Sequence, residues 1–373
     1  MRHAFLAKGL WVGFGLFLLL IIAAYQLIPR TITITQIPYQ IKRPGNYKLA
    51  QDFFTRAGCA IEIKANNVSL DLDGHALVGE GSWQDIQSGI CAQDVRHIKI
   101  HNGHLSGFTY GILINDSTRS GMPQKSQEIE IRDLLLTNNT FRGIKIAGTR
   151  ARIQNNVIRR TGGFRKFQNG FSFGIETYGE RFEVLNNEIE DTFPVSTGEG
   201  VAICLADHCN HCRINGNRLR NSELPVFGRT FAIWVGGNTN HTEIKNNVFT
   251  NFTHGFNGHF DNIHDLIKSG DVWTGNVFED ISCLPDEKEH YPARITVKEL
   301  IRDNIFKGQK RACADTEKYY LSRFSQDLPE VQYRLGQIHM NNWAKATFWF
   351  KKAADQGHFE ARRVLEILEK NPY

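Results

Sequence analysis

Between about residue 38 and residue 310 the chain repeats itself with a period near thirty residues, and a repeat constrains a fold more tightly than any local motif. Short alternating segments recur: SLDLDG at 69, IKIHNG at 98, IEIRDL at 129, ARIQNNVI at 151, FEVLNNEI at 182, CRINGNRL at 212, TEIKNNVF at 242, WTGNVF at 273 and IRDNIF at 301. The aligned asparagines Asn156, Asn187, Asn217, Asn247, Asn276 and Asn304 are 31, 30, 30, 29 and 28 residues apart. Between these segments lies a second unit, a small residue followed by apolar positions: AIEI at 60, GICA at 89, GILI at 111, GIKI at 143, GIET at 174, AICL at 202 and AIWV at 232. The alternation has period two, and the runs are too short for helices, so each repeat holds short strands. No unit can bury its apolar side alone.

Stacking the units strand on strand, in parallel, buries the Ile, Val and Phe columns and pairs each backbone group with the coils above and below. At about 4.8 Å per coil, nine coils give a rod roughly 43 Å long. Asparagine tolerates left-handed backbone angles, and its amide can bond to the same amide one coil away. This accounts for 28 Asn beside 33 Gly, with 25 of the Asn between Thr31 and Ala314. GNYKLAQD at 45, AIEIKANNVSLDLDGHALVG at 60 and the NN turns resemble the right-handed parallel β-helix family, the pectin-lyase-like superfamily. The resemblance covers roughly residues 38 to 310 and implies a mainly β fold, a right-handed single-stranded parallel β-helix of about nine coils. Asp71, Asp73, Gly74 and His75 fit its first-coil signature, which is chiefly structural in the family. The scaffold serves lyases, hydrolases, epimerases, phage tailspikes and plain carbohydrate binders, so it implies a fold and leaves the activity open.

Both ends depart from the repeat. Residues 9 to 28 carry no charge and span about 30 Å as a helix, a bilayer core. Arg2 and Lys8 precede this run, so residues 1–30 read as a single-pass signal anchor with the remaining chain extracytoplasmic; a cleaved signal peptide is the alternative. The net charge of +5 is concentrated here: residues 1–30 hold +3, residues 31–314 hold 32 bases against 31 acids, and residues 315–373 hold 9 against 8. No broad basic field covers the body, and no nucleic-acid partner is expected. From Asp315 helical periodicity begins. Tyr333, Leu335, Gly336, Ala346, Trp349, Phe350, Ala353, Ala354, Gly357, Ala361 and Leu365 fall where a Sel-like repeat, a relative of the tetratricopeptide repeat, places its packing residues. The resemblance implies an α-helical pair over 315–373, docked as a cap or engaging a protein partner. The domains expected are therefore 1–30, 31–314 and 315–373.

Coils of unequal length mark the functional side, because stacked repeats can be enlarged only in their loops. The long excursions are 116–128, 159–173, 191–200, 221–230 and 251–271. The outward positions of the small-apolar strands form a row, Leu113, Lys145, Glu176, Cys204 and Trp234. An anionic sugar polymer suits this face: Arg142, Arg159, Arg160, Arg165, Lys166, Glu199 and Asp261 are candidate binding residues, and Phe164, Phe167, Phe227 and Trp234 offer flat rings. Lyases and epimerases of uronic acids need a cation for the carboxylate and a base for the neighbouring proton. Arg142 is the candidate neutraliser; Lys145, Tyr178 and His259 are candidates for base or acid, beside Glu176. A plain ladder pair between Lys145 and Glu176 is the bland alternative.

The segment DHCNHC makes His208, Cys209, His211 and Cys212 candidates for a metal, with a Cys209 disulfide to Cys212 or Cys204 the simpler account in an oxidising compartment. Cys59 with Cys91, or Cys283 with Cys313, can cross-link neighbouring coils. His75, His97, His101 and His104 read as turn and ladder residues. No cofactor is implied. The sequence therefore predicts a membrane-anchored β-helix that binds, and modifies by lyase or epimerase chemistry, an acidic polysaccharide. The alternatives are a non-catalytic carbohydrate binder or export scaffold, and a periplasmic metal-delivery protein.

Overall fold

Period-two segments of Ile, Val and Phe recurring every thirty residues have one economical way to hide their apolar sides, and the computed structural model shows it. The structure describes residues 31–279 apart from 57, 82–84, 119–122, 165–169, 195–197, 207, 225–228, 237–238, 240 and 259–271; it also describes 305–307, 327–338, 343–358, 361–362 and 364–365. Their strands stack in parallel on three faces of a solenoid. The first face runs through Gly45–Leu49, Val68–Asp71, Arg152–Gln154, Glu183–Leu185, Arg213–Asn215 and Glu243–Lys245. The second carries Ala76–Val78, Val157–Gly162, Glu188–Phe193, Arg218–Arg220 and Val248–Thr250. The third carries the small-apolar units: Cys59–Ile63, Ser88–Gln93, Tyr110–Asn115, Arg142–Thr149, Ser172–Glu180, Glu199–Leu205, Arg229–Val235 and His254–Gly258. The long strands Arg96–Ser106 and Gln127–Thr137 bend from the first face onto the second without a break, at the left-handed residues Asn102 and Asp133.

Inside, the columns Ile112, Ile144, Ile175, Ile203, Ile233 and Ile100, Ile131, Ile153, Val184, Ile214, Ile244 are at most 1% exposed and form one continuous core. Six turns, beginning at Ser88, Tyr110, Arg142, Ser172, Glu199 and Arg229, carry all three faces through Thr250. This is a shorter regular body than the nine coils expected. The turns outside it use shorter strands, such as Phe53–Phe54, or border residues that are not described.

The paired asparagines divide their work between neighbours. The first of each pair holds the left-handed corner: φ is 54° at Asn155, 53° at Asn186 and 55° at Asn246, and glycine takes the position at Gly216 and Gly275. The second turns inward. Asn156, Asn187, Asn217, Asn247 and Asn276 are buried, and the Nδ2 of each of the first four donates to the Oδ1 of the next at 2.9 to 3.0 Å. Each Nδ2 also donates to a core carbonyl, as Asn187 does to Ile153 O at 2.9 Å. The ladder thereby satisfies buried amides that would otherwise be a heavy penalty.

Among the described residues two helices follow, α1 (Pro329–Ile338) and α2 (Trp343–Asp355). Tyr333, Ala346, Phe350, Ala353, Ala354 and Ala361 form their own small core, and Gly357, at φ 92°, ends α2. A helical pair is present, while its Sel-like identity rests on the sequence resemblance alone. Residues 1–30 lie outside the described residues; among those described, no helix is long and apolar enough to cross a membrane.

Cys59 and Cys91, opposite in adjacent turns, form a disulfide. The disulfide expected at Cys209 is not present: Cys204, Cys209 and Cys212 are buried free thiols. Cys209 is held by Thr177, its Sγ donating to Thr177 O at 3.3 Å. Cys283 and Cys313 lie outside the described residues.

Candidate functional site

The third face carries a second, external cluster. Strand register puts Leu113, Lys145, Glu176, Cys204 and Trp234 in one outward row, as the alternation predicts. Beside it runs a row of Tyr110, Arg142, Phe173, Val201 and Phe231. Phe173, Val201, Cys204, Ala206, Phe231 and Trp234, with Tyr178 against them, pack as an apolar cluster separate from the core. A solenoid does not need this cluster to fold its coil.

At its edge the polar groups converge. Glu176 is 2% exposed, and its Oε2 accepts from Arg142 Nε at 2.7 Å. Tyr178 donates its hydroxyl to Glu176 Oε1 at 3.0 Å, and Lys145 Nζ stands 3.7 Å from Oε2. Arg142 lies between two rings, 3.6 Å from the Phe141 centroid and 4.1 Å from that of Phe173, and also donates to the carbonyls of Phe141 and Phe171. A carboxylate this buried is tolerable only with such charge-assisted partners. Burial, and then the Glu176 carboxylate, push the Tyr178 phenol well above its usual range. Burial also raises Tyr110, which Arg142 partly offsets, and raises the Cys204 thiol, with Glu176 adding to it.

Several expectations change. Arg142 is already spent on Glu176 and two carbonyls, so it is not free to neutralise a substrate carboxylate. Tyr178 is held as a phenol with its proton donated to Glu176, so it is not poised as a base. Lys145, 24% exposed at its side chain, is the cation of this set that solvent reaches, and its ladder pairing with Glu176 is real as well. Phe164 is 0% and Trp234 7% exposed, so neither offers a free ring face. The exposed ring is Phe171, 39% exposed, stacked on Phe173 at 6.0 Å and edge-on to Trp234 at 5.2 Å. Sequence reading missed it because it lies one residue outside a strand, in an irregular loop.

Arg159 does not join this face. It sits on the second, paired with Glu188 at 2.8 Å and Glu190 at 3.1 Å, and Arg160 is the exposed left-handed corner next to it. Glu199 is buried on the third face and bonded to Arg229, its register partner. Arg165, Lys166, Phe167, Phe227, His259 and Asp261 lie outside the described residues. Segments 159–173, 191–200 and 221–230 lead from the second face to the third, but 251–271 is interrupted by the strand His254–Gly258.

The candidate metal ligands do not converge. Cys209 and Cys212 point into the core, while His211 is exposed outside and stacks on His241 at 5.0 Å. Among the described residues no group of three or more His, Cys, Asp or Glu is placed to hold a metal. The turn and ladder histidines make structural contacts: His97 with Glu128 at 2.7 Å, His75 with Asp52 at 3.2 Å, His101 with Asp71 at 3.8 Å, and His104 with Thr137 at 2.7 Å.

Residues 88–264 match the family model described as a right handed beta helix region. Among solved structures, the chain is similar to the Dettilon tailspike protein at 13% identity and a TM-score of 0.33, over 75% of this chain and 60% of the tailspike. It thus spans less than two thirds of that tailspike's length. A search of curated proteins returns no match. The three stacked parallel faces and the match over residues 88–264 together support a right-handed parallel β-helix for that part of the chain.

Proposed function

We propose that the outer side of the third face binds a polysaccharide, and an acidic one. The observation that carries this is the external aromatic cluster with a charged edge: Phe171 exposed over Phe173 and Trp234, and Lys145 within reach of the same surface. Sugar rings present apolar faces to such a ring, and a carboxylate beside them meets the ammonium. Binding assays of the full chain against alginate, pectate and neutral glucans test the reading. Phe171→Ala and Lys145→Ala should each weaken acidic-glycan binding several-fold, and equal affinity in both variants overturns it.

Chemistry on that glycan is a second reading, supported by the protonated Tyr178 phenol beside Lys145. In a β-elimination Lys145 would neutralise the uronate carboxylate, and Tyr178, turning its hydroxyl from Glu176, would give its proton to the leaving glycosidic oxygen as the C–O bond breaks. The base that takes the ring proton would be His259. Absorbance of unsaturated product, and the epimer ratio by NMR, separate lyase, epimerase and plain binder. Residues 1–30 would anchor the chain with this face extracytoplasmic, the charge-free run supporting it; labelling of intact cells with an impermeant reagent checks this. The helical pair would serve a protein partner, which deletion of 315–373 tests without loss of glycan binding.

A further inference from the structure

A trough of about 480 Å³ runs along the outside of the first face, away from the aromatic cluster. Its floor is a register row, Lys99, Glu130, Arg152, Glu183 and Arg213, one residue per coil. Corner residues, Arg150 and Arg181 among them, stand along its rim at φ 56° and 58°.

Alternating charges on a parallel sheet ordinarily neutralise one another, and here they do so incompletely. The lining has five Lys or Arg side chains against three Glu. Each carboxylate is shared between two bases. Glu183 accepts from Arg152 at 2.7 Å and from Arg213 at 2.9 Å; Glu130 lies 3.0 Å from Arg132 and 3.6 Å from Lys99. Glu128 serves Arg150 at 3.0 Å and His97 at 2.7 Å. Arg181 has no carboxylate partner among the described residues. Arg213 also reaches Glu243 at 3.7 Å, so the surplus in this concave, half-exposed trough rests on Arg181 and on bases that share a carboxylate, and an anion entering it meets them.

We infer that this trough is a second binding site, for an extended acidic oligosaccharide lying along the solenoid axis. Lys99, Arg152 and Arg213 recur at every second coil, about 9.6 Å apart at 4.8 Å per coil. An extended uronan turns the carboxylates of alternate sugars to one side, which this spacing meets. Nucleic acid fits less well: a single strand needs aromatic side chains for its bases, and the trough lining holds no Phe, Tyr or Trp. The site stands on its own face and does not depend on the third-face reading.

The test is calorimetric titration of the full chain with a hexauronate at two salt concentrations. Lys99→Gln combined with Arg181→Gln should lower affinity about tenfold and make the salt dependence shallower, with the thermal midpoint unchanged. Should the double variant fail to fold, Arg181→Gln alone should lower affinity about threefold. Lys145→Ala, on the third face, should leave the trough-dependent part of binding intact. Unchanged affinity in the trough variants overturns the inference, even where Lys145→Ala abolishes binding and so upholds the third-face site. Equal competition by a hexanucleotide of the same charge overturns the assignment to a glycan.

Discussion

Glu176 shows how one buried charge organises its surroundings. Its carboxylate is enclosed by Arg142, Tyr178 and Lys145, and removing one partner of such a buried pair leaves an uncompensated charge. Glu176→Ala should destabilise the fold by about 3–5 kcal/mol, whereas Lys145→Ala should cost at most about 1 kcal/mol, since that pair is longer and partly solvated. Urea unfolding of the two variants compares them. Tyr178 adds a pH signature. The folded chain keeps this proton to a higher pH than the unfolded chain, whose tyrosines titrate near 10. Its contribution is therefore complete below pH 10 and lost as pH rises toward the folded value. Tyr178→Phe should flatten the alkaline fall of the urea midpoint between neutral pH and pH 12.

At the scale of an element, the corner before each buried asparagine couples neighbouring coils. Gly216 has φ 69°, and a Cβ added to it would lie 2.3 Å from Asn186 Oδ1. Gly216→Ala should therefore cost about 1–2 kcal/mol from the left-handed backbone, and more from the clash. Asn186→Gly should relieve only the clash, so a double-mutant cycle by denaturant unfolding should show favourable coupling between the two. Asn187→Ala removes a rung from the ladder and leaves buried partners on both sides unpaired, a loss of about 1–3 kcal/mol. The NN and GN pairs were visible in the sequence, and so was their role in turns. Which Asn bends the chain and which bonds inward was not, because the two differ only in backbone angle.

For the whole molecule, coils touch only their neighbours, so stability is close to a sum over adjacent turns. The Cys59–Cys91 disulfide ties two turns near the N-terminal end. Replacing both with serine should cost about 2–4 kcal/mol, felt as faster amide exchange in the turns from Tyr39 to Ser106. Protection around Arg142 and Glu176 should stay as it is; uniform loss of protection along the rod would contradict nearest-neighbour coupling.

Spacing and alternation by themselves determined the solenoid, its inward Ile columns, and the outward row from Leu113 to Trp234, because a period-two strand in a stacked repeat leaves one choice of side. They could not determine which outward groups satisfy one another. Arg142 and Arg159 look equally available as letters, yet one is locked between Phe141 and Phe173 against Glu176, and the other is paired with Glu188 and Glu190. That difference comes from side chains of separate coils meeting through space, as does the surplus of cations in the first-face trough. Only the tertiary structure brings those residues together, some thirty positions apart in the chain.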